Sequence, residues 1–536
     1  MSQSRLEEQQ ITPKATAEVD TLPALISPHH QHDTAVVSKK VAHGTVWSVV
    51  GRVAALLAAF ISTPFQTRLL GTEQYGIWAL ANTLIAYLTY TSLGMGDAST
   101  RFAAEPYIRK DADGETAVIW TSLLITLLPA VAGMVVVMLT ARPLVEDVFG
   151  VPKHLQSIAV TVVQLTAFGV VAQIVANVFN TPQLVRLRYD LNASLSTGLL
   201  IAQHGAIVAV LLLGGGLRGM VWMITSCSLL AAFAHAFASR ALQPALFRPQ
   251  IDLTLVGPLL HFGGAATLSG LLGWVLQSSE RLFLARFGSV PELAYYSLAS
   301  NLTSLAILVP SSMGSTLLPA MSTLHAAKEK ILLERLCAQS LRANLFYTLP
   351  VAFLLCVLGE PFIHAWAGPE YAAPGALSLY FLMPGIIFNS MIFVPLNLLN
   401  ALGQAGTVLK CNLIEIIPHI IYTAFLTFQF GVAGAALAWG LRWLFHAILL
   451  FAAARKAADV PLWSMIGDLR SYGIALFVLV GMALVAFGLG GNLWIRMTMA
   501  IVGCIGYSAF VWMKILRPEE QVALLRTFHL DLRNGK

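Results

Sequence analysis

Two similar stretches decide the fold: FQTRLLGTEQYGIWALA at residues 65–81 and FLARFGSVPELAYYSLA at residues 283–299. In each stretch an apolar segment ends in an arginine, Arg68 or Arg286, and a glycine follows within three residues. A short polar turn and a second apolar segment come next. Because the polar turn residues recur together with leucine and alanine, we interpret the stretches as two copies of an internal repeat. Chance similarity between two apolar helices is the alternative.

The composition indicates a membrane protein. Of 536 residues, 57% are hydrophobic and 11% are charged, and the mean hydropathy is +0.72. Soluble domains carry about 25% charged residues, so this chain lacks the polar surface that a water-soluble protein of its length needs. Apolar runs of about 20 residues, each sufficient to cross a bilayer as a helix, recur along the chain. We therefore predict an all-α integral membrane protein.

The apolar runs predict about fourteen transmembrane helices. Their approximate extents are 46–69, 75–95, 116–140, 156–182, 193–214, 218–239, 257–286, 293–319, 341–358, 375–401, 407–429, 431–453, 471–490 and 494–515. Six spans in each repeat is an even number, so the copies should be parallel repeats related by an axis along the membrane normal, an architecture that secondary transporters use. The last two spans form an added C-terminal hairpin.

These spans divide the chain into five parts. We predict a disordered cytoplasmic tail, an N-terminal lobe of spans 1–6, a C-terminal lobe of spans 7–12, the hairpin of spans 13 and 14, and a cytoplasmic C-terminal tail. Their bounds are 1–44, 45–245, 246–455, 456–516 and 517–536. Lysine and arginine concentrate in the loops on the side of the termini, which predicts that both termini are cytoplasmic.

The charge and the cysteines exclude several kinds of site. The net charge is +6, but the basic residues are scattered among short loops, which argues against nucleic-acid binding. The five cysteines form no CxxC pair, so neither a metal site nor a disulfide framework is expected. Walker A, GxSxG and HExxH signatures are missing and the outer loops are short, so no enzyme activity and no cofactor are expected. Transport would then run on an H⁺ or Na⁺ gradient, on the substrate gradient or through partners.

Ionisable residues inside the predicted spans are candidate functional residues, because charge at membrane depth is costly. Arg52 shares a helical face with Thr63 and Gln66 in span 1, although it is also close enough to the cytoplasmic headgroups to reach them. Glu280 and Arg281 in span 7 point about 100° apart and cannot neutralise each other along the helix. Each is expected either to form an interhelical salt bridge or to meet a charged substrate group.

Span 11 carries a polar stripe. Asn412, Glu415 and His419 follow at helical spacing, and lipid offers such a stripe no hydrogen bonds. Glu415 and His419 lie one turn apart and are candidates for a proton- or ion-coupling pair, with plain hydrogen bonding between helices as the alternative. In span 12, Arg442 and His446 also lie one turn apart.

Several motifs resemble the polysaccharide-transporter branch of the multidrug/oligosaccharidyl-lipid/polysaccharide (MOP) exporter superfamily. They are RLLGTEQYGIWALA, LGMGDASTRFAAE, LLHFGGAATLSGLLGWVLQSSERLFLARFG, LLPAMSTL, GEPFIHAWAGPEY, NALGQAGTVLKCNLIE and GVAGAALAW. The motifs span most of residues 45–453, and their order is more specific than any one of them.

The resemblance implies a fold, a substrate and a location. The fold would be two six-helix lobes around a central cavity that alternates between the two sides. The substrate would be an undecaprenyl-diphosphate-linked oligosaccharide, flipped across the bacterial cytoplasmic (inner) membrane for exopolysaccharide, capsule or O-antigen export by a monomer, with a polymerase and export machinery as partners. Arginine matches phosphate oxygens in bidentate geometry. The cationic cavity candidates are Arg68, Arg281, Arg286, Arg442 and Arg52.

Three alternatives remain open at this point. A multidrug/cation antiporter of the same fold would present a more acidic cavity to organic cations. A peptidoglycan-precursor flippase would share the architecture, although the motifs fit the polysaccharide branch better. A membrane-embedded polysaccharide polymerase or transferase is opposed by the short outer loops.

Overall fold

The computed structural model describes residues 28–458, 469–488, 492–515 and 521, and these are almost entirely helical. The helices are α1 (Pro28–Thr89), α2 (Met95–Ile108), α3 (Ala112–Pro143), α4 (Lys153–Phe179), α5 (Thr181–Val185), α6 (Tyr189–Leu212), α7 (Gly216–Leu242), α8 (Val256–Phe287), α9 (Val290–Ala326), α10 (Lys330–Trp366), α11 (Pro369–Ala401), α12 (Ala405–Ala458), α13 (Leu469–Gly488) and α14 (Leu493–Lys514). The predicted class of all-α membrane protein is confirmed.

Two of these helices are each broken into two arms by a glycine. Gly71 interrupts α1 with φ 72° and ψ 178°, and Gly431 interrupts α12 with φ 55° and ψ −131°. Residues with a Cβ rarely adopt these conformations, so glycine allows each chain reversal at little steric cost. The arms of α12 match the predicted separation of spans 11 and 12 near residue 430.

The number of membrane crossings stays a prediction. Within the described residues, eleven helical stretches are long and apolar enough to span a membrane, and the stretches containing Gly71 and Gly431 each include two arms.

The boundary of the predicted N-terminal tail needs a correction. Helix α1 begins at Pro28, within the segment 1–44 that the sequence assigned to a disordered tail. Residues 34–43 contain neither glycine nor proline, so nothing in them stops the helix from continuing upstream of the apolar segment. Residues 1–27, much of the segment before the hairpin and nearly all of the C-terminal tail lie outside the described residues.

Hydrophobic packing forms two main cores. The first lies in the N-terminal lobe, which we define as α1–α7, where α1 packs on α6 and α4 packs on α3 and α7. The second lies in the C-terminal lobe, which we define as α8–α12, where α11 is the central helix and contacts α9, α10 and α12. Tyr75 of α1 belongs to the second core, and Ala285 and Leu293 belong to the first, so the cores meet at the internal repeat.

The connection between the lobes is docked on the N-terminal lobe. Trp120 Nε1 donates to the carbonyl oxygen of Leu246 at 2.7 Å, and the backbone N–H of Asp252 donates to Thr121 Oγ1 at 3.0 Å. Hydrogen bonds from Thr254 hold the pKa of the exposed Asp252 below its usual range. The chain around residues 246–252, just after the predicted boundary between the lobes, thus follows the surface of α3.

Polar contacts attach the hairpin of α13 and α14 to α10. Tyr472 and Tyr507 donate their hydroxyls to the carbonyl oxygens of Arg342 and Leu345, at 3.0 and 3.1 Å. Arg496 Nη1 lies 2.8 Å from a carboxylate oxygen of Glu360. These contacts fix the hairpin to the C-terminal lobe.

Gly76 allows the two lobes to approach closely. A Cβ at this position would overlap the backbone carbonyl of Val290, at the start of α9. We expect Gly76→Leu to destabilise the protein by about 1–3 kcal/mol, the usual cost of overpacking. Thermal unfolding of the purified protein in detergent measures the effect. Gly198→Leu is the matched control, because Gly198 faces open space in α6. Equal stability of the two variants would contradict this account of the interface.

Candidate functional site

A row of buried polar side chains links α8 to both arms of α12. At its centre is Glu415, which the structure buries completely. Arg442 Nε donates to one carboxylate oxygen of Glu415 at 2.8 Å, and His446 Nδ1 lies 2.6 Å from the other. Both partners come from the second arm of α12 and are 4% and 5% exposed. The Gly431 reversal therefore brings spans 11 and 12 together around one carboxylate.

His419 extends the row toward α8. Its Nε2 lies 2.6 Å from Ser279 Oγ, and its Nδ1 lies 3.0 Å from the hydroxyl of Tyr422. The imidazole is fully buried and is held between hydroxyls on two different helices. The spacing of Glu415 and His419 predicted that they form a pair. In the structure, their side chains form hydrogen bonds with different partners.

Glu280 of α8 is the unusual member of this row. Its side chain is completely buried, and neither carboxylate oxygen has a hydrogen-bond partner within the described part of the chain. The closest basic group is His419, whose Nε2 lies 3.5 Å from one oxygen of Glu280. A buried carboxylate without a hydrogen-bond donor carries a large desolvation penalty, so Glu280 is a candidate functional group.

Two of the arginines predicted to line a cavity have different surroundings. Arg442 is neutralised by Glu415, and its guanidinium lies 4.3 Å from the centre of the Trp443 ring. Arg281 is half-buried and donates from Nη2 to Ser300 Oγ at 3.1 Å, but it forms no ion pair with any described carboxylate. It interacts electrostatically with Tyr75 of the other lobe. Of the two, Arg281 keeps an uncompensated charge near the boundary between the lobes.

The other predicted site residues lie elsewhere. Arg68 is exposed and donates to the carbonyl oxygen of Ala365 near the end of α10, and Arg286 is exposed at the end of α8. Asn412 is half-buried, one turn before Glu415. Arg52 lies in α1, and its side chain is outside the described residues. The structure thus brings Glu280, Glu415, His419 and Arg442 together and separates Arg68 and Arg286 from them.

The N-terminal lobe contains a cluster of uncharged polar side chains that was not predicted from the sequence. Ser62 Oγ lies 2.7 Å from His204 Nδ1, and Gln66 Nε2 donates to Ser62 Oγ at 3.1 Å. In the register of the repeat, Ser62 occupies the position of Glu280. His204 belongs to the fifth predicted span of its lobe, as His419 does. Extending the repeat alignment three residues upstream would have revealed the correspondence.

Side chains of both lobes meet at the end where Arg68 lies. Trp366 Nε1 donates to the carbonyl oxygen of Phe60 at 3.2 Å, and the rings of these residues stack with centres 4.9 Å apart. Tyr75 and Tyr371 form a further edge-on pair across the boundary. These are noncovalent contacts between aromatic and polar groups, which two lobes can break and remake.

Comparison with known proteins gives a family. A family model described as "Polysaccharide biosynthesis protein" matches residues 66–373, more than half of the chain. The chain belongs to this family. It is 22% identical over 424 residues to a protein of Shigella flexneri named as an O-antigen transporter, and the match covers 76% of this chain and 96% of that relative.

Solved structures show the same fold. The lipid II flippase MurJ in an inward closed conformation has a TM-score of 0.67 at 12% identity, covering 89% of this chain and all of that one. An inward-facing multidrug resistance MATE family transporter of the MOP superfamily has a TM-score of 0.65 at 14% identity, covering 76% and 94%. The predicted membership in the polysaccharide-transporter branch of this superfamily is confirmed.

Proposed function

We propose that this member of the polysaccharide biosynthesis family flips an undecaprenyl-diphosphate-linked oligosaccharide repeat unit across the membrane. The observation that carries the proposal is the family match over residues 66–373 on a fold shared with a lipid II flippase. The Shigella flexneri relative named as an O-antigen transporter supports the same class of substrate. The protein would be a transporter, not an enzyme, and its product would enter O-antigen, capsule or exopolysaccharide.

Alternating access between the lobes would move the substrate. The lobes contact each other through Trp366 and Phe60, through Tyr75 and Tyr371, and through Arg68 and the end of α10. Breaking these contacts, together with the packing of Gly76 against Val290, would open one end of the boundary. Arg281 would hold the diphosphate, because its guanidinium carries an uncompensated charge and its geometry suits phosphate oxygens.

The location and partners follow from the same proposal. We place the protein in the bacterial inner membrane with both termini in the cytoplasm, because the lysine and arginine residues concentrate in loops on that side. It would act as a monomer that delivers its substrate to a polysaccharide polymerase and to export machinery. An H⁺ or Na⁺ gradient would drive the process.

A multidrug/cation antiporter is the second candidate, because the MATE transporter shares the fold. Glu280 is the observation that favours it, since an unpaired carboxylate could attract an organic cation. The complete burial of Glu280 argues against direct contact with a drug. The MATE transporter shares only the fold with this chain, whereas the model of the polysaccharide biosynthesis family matches its sequence. The sequence match favours the polysaccharide substrate.

Deletion of the gene distinguishes these two functions. In a strain that lacks related transporters, we expect loss of the surface polysaccharide and accumulation of the lipid-linked unit on the cytoplasmic leaflet. Both are measured in the same culture, the polymer by immunoblot and the lipid-linked unit by mass spectrometry after extraction. A plasmid copy of the intact gene is the control and should restore both. Unchanged polysaccharide with new sensitivity to cationic drugs would overturn the proposal.

A further inference from the structure

We propose that a groove on the membrane-facing side of the N-terminal lobe binds one anionic phospholipid, with an acyl chain between α4 and α7 and the phosphate at Arg240. The groove lies away from the boundary between the lobes, because α4 and α7 pack on each other and on other helices of the N-terminal lobe. The inference therefore goes beyond the proposed transport function. The phospholipid would be a resident ligand and not the transported substrate.

The groove is apolar throughout and has a volume of about 480 Å³, which is within the usual range for ligand pockets. The buried Ala172 and Ala236 form its floor, and Phe233 and Phe237 stand beside it, 61% and 59% exposed. Such a lining offers water no hydrogen bonds. In a membrane, a hydrocarbon chain is the ligand that fills a groove of this kind.

Two hydrogen bonds between α4 and α7 hold the helices that form the groove. Thr225 Oγ1 donates to the carbonyl oxygen of Leu165 at 3.0 Å, and Ser239 Oγ donates to the carbonyl oxygen of Phe179. The groove-lining residues of α7, from 229 to 237, lie between Thr225 and Ser239. The groove is therefore bounded at both ends by direct contacts between the two helices.

A positive charge lies at one end of the groove. The guanidinium of Arg240 is 5.1 Å from the centre of the Phe247 ring, which lines the groove and packs edge-on against Phe237. Leu246 is completely buried, and its carbonyl oxygen accepts a hydrogen bond from Trp120, which fixes the position of the neighbouring Phe247. In the orientation proposed above, this end of α7 is at the level of the cytoplasmic headgroups.

Arg240 has no ion-pair partner among the described residues. The nearby carboxylates have other partners, since Glu115 is paired with Arg186 and Asp190 with Arg188. A phosphate group would supply the missing countercharge, and the guanidinium geometry suits phosphate oxygens. Basic sites between transmembrane helices on the cytoplasmic side are known to bind the headgroups of anionic lipids. Charge complementarity thus selects an anionic lipid.

A phospholipid fits this place better than the lipid-linked substrate does. Both carry phosphate next to hydrocarbon, and both would satisfy Arg240 and the groove. The diphosphate of the substrate, however, has to pass between the lobes, where Arg281 lies. The groove opens on α4 and α7 of one lobe, where the surrounding bilayer supplies phospholipid directly.

Native mass spectrometry tests the headgroup site. The purified full-length protein, freed of lipid in detergent, is titrated with phosphatidylglycerol, and the bound lipid is counted. We expect Arg240→Gln to raise the dissociation constant of the tightest site about tenfold, because a charged hydrogen bond is lost. The zwitterionic phosphatidylethanolamine should bind more weakly to the wild type. Arg218→Gln is the matched control, since Arg218 lies at the opposite end of α7 and donates to Ser157 Oγ.

A variant that fills the groove tests the acyl-chain site. Ala232→Phe adds a ring to the lining and should abolish tight binding of phosphatidylglycerol. Leu230→Phe is the control, because Leu230 is 56% exposed on the same helix and does not line the groove. Bound lipid stabilises the folded state, so phosphatidylglycerol should raise the unfolding midpoint of Leu230→Phe but not that of Ala232→Phe. The midpoint without lipid checks that each variant is folded.

Several outcomes would overturn the proposal. Equal affinity of the wild type and Arg240→Gln would remove the headgroup site, and equal affinity of Ala232→Phe and Leu230→Phe would remove the acyl-chain site. Undecaprenyl phosphate is titrated in parallel, and its tighter, Arg240-dependent binding would assign the groove to an isoprenoid lipid instead. None of these measurements needs transport. Failure of the oligosaccharide to be flipped would therefore leave the lipid site standing, and its absence would leave the proposed function standing.

Discussion

Replacing Arg281 by glutamine is expected to lower polysaccharide export about 10- to 100-fold. The charged hydrogen bonds that its guanidinium would give a diphosphate contribute about 1.5–3 kcal/mol, and each 1.4 kcal/mol is a factor of ten. Arg281 is available to bind the diphosphate because it lies near the boundary of the lobes and has no ion-pair partner among the described residues. Export is measured as surface polysaccharide in the deletion strain that carries each variant.

Arg142→Gln is the control for this prediction. Arg142 is an exposed arginine that pairs with Glu146 one turn away at 2.7 Å, and such surface pairs contribute little. Its replacement should leave export within about twofold of the wild type. Immunoblots of membranes verify equal amounts of each variant. Full export with Arg281→Gln would show that this arginine does not hold the substrate.

Replacing Glu415 by leucine is expected to destabilise the protein by about 3–5 kcal/mol, the usual cost of leaving a buried charge without its partner. Arg442 would lose the carboxylate that neutralises it, and its position is 4% exposed. His446 would lose the same acceptor. The free energy of unfolding, measured in mixed micelles by circular dichroism, quantifies the loss.

Two further variants show whether the ion pair is the cause. The double variant Glu415→Leu with Arg442→Met replaces both charges by apolar groups and should recover most of the stability. Asn412→Leu, one turn away at a half-buried position, should change the stability by less than about 1 kcal/mol. A double variant as unstable as Glu415→Leu alone would show that the loss comes from packing and not from the unpaired charge.

The sequence predicted the composition of the buried row better than its contacts. Glu415 and His419 were recognised as a polar stripe because their spacing puts them on one helical face. Arg442, His446 and Ser279 are partners on other helical segments, whereas Tyr422 lies on the same arm as His419. Spacing along one helix reports which side chains share a face, but it does not report which face a neighbouring helix presents. The pairing depends on the rotation of α8 and of the second arm of α12.

The sequence alone determined the class of the protein and the approximate positions of most of its long helices. Long apolar runs have few ways to satisfy their backbone groups in a bilayer, so hydropathy located most of the long helices. It did not give the upstream start of α1, the full length of α10, or α2, because these parts contain polar residues. The repeat around Arg68 and Arg286 was also visible, because its polar turn residues recur. Local chemistry is sufficient for these features, since each is decided by residues close together in the chain.

Only the tertiary structure decided which charges remain uncompensated. Arg442 and Arg281 are both arginines in predicted spans, but one lies against Glu415 and the other lies beside Ser300. Glu280 and Glu415 differ in the same way, since Glu415 has two basic partners and Glu280 has only His419 within ion-pair distance in the described structure. The physical reason is that electrostatic energy depends on distance and burial between helices that are far apart in sequence. Packing of the helices fixes those distances.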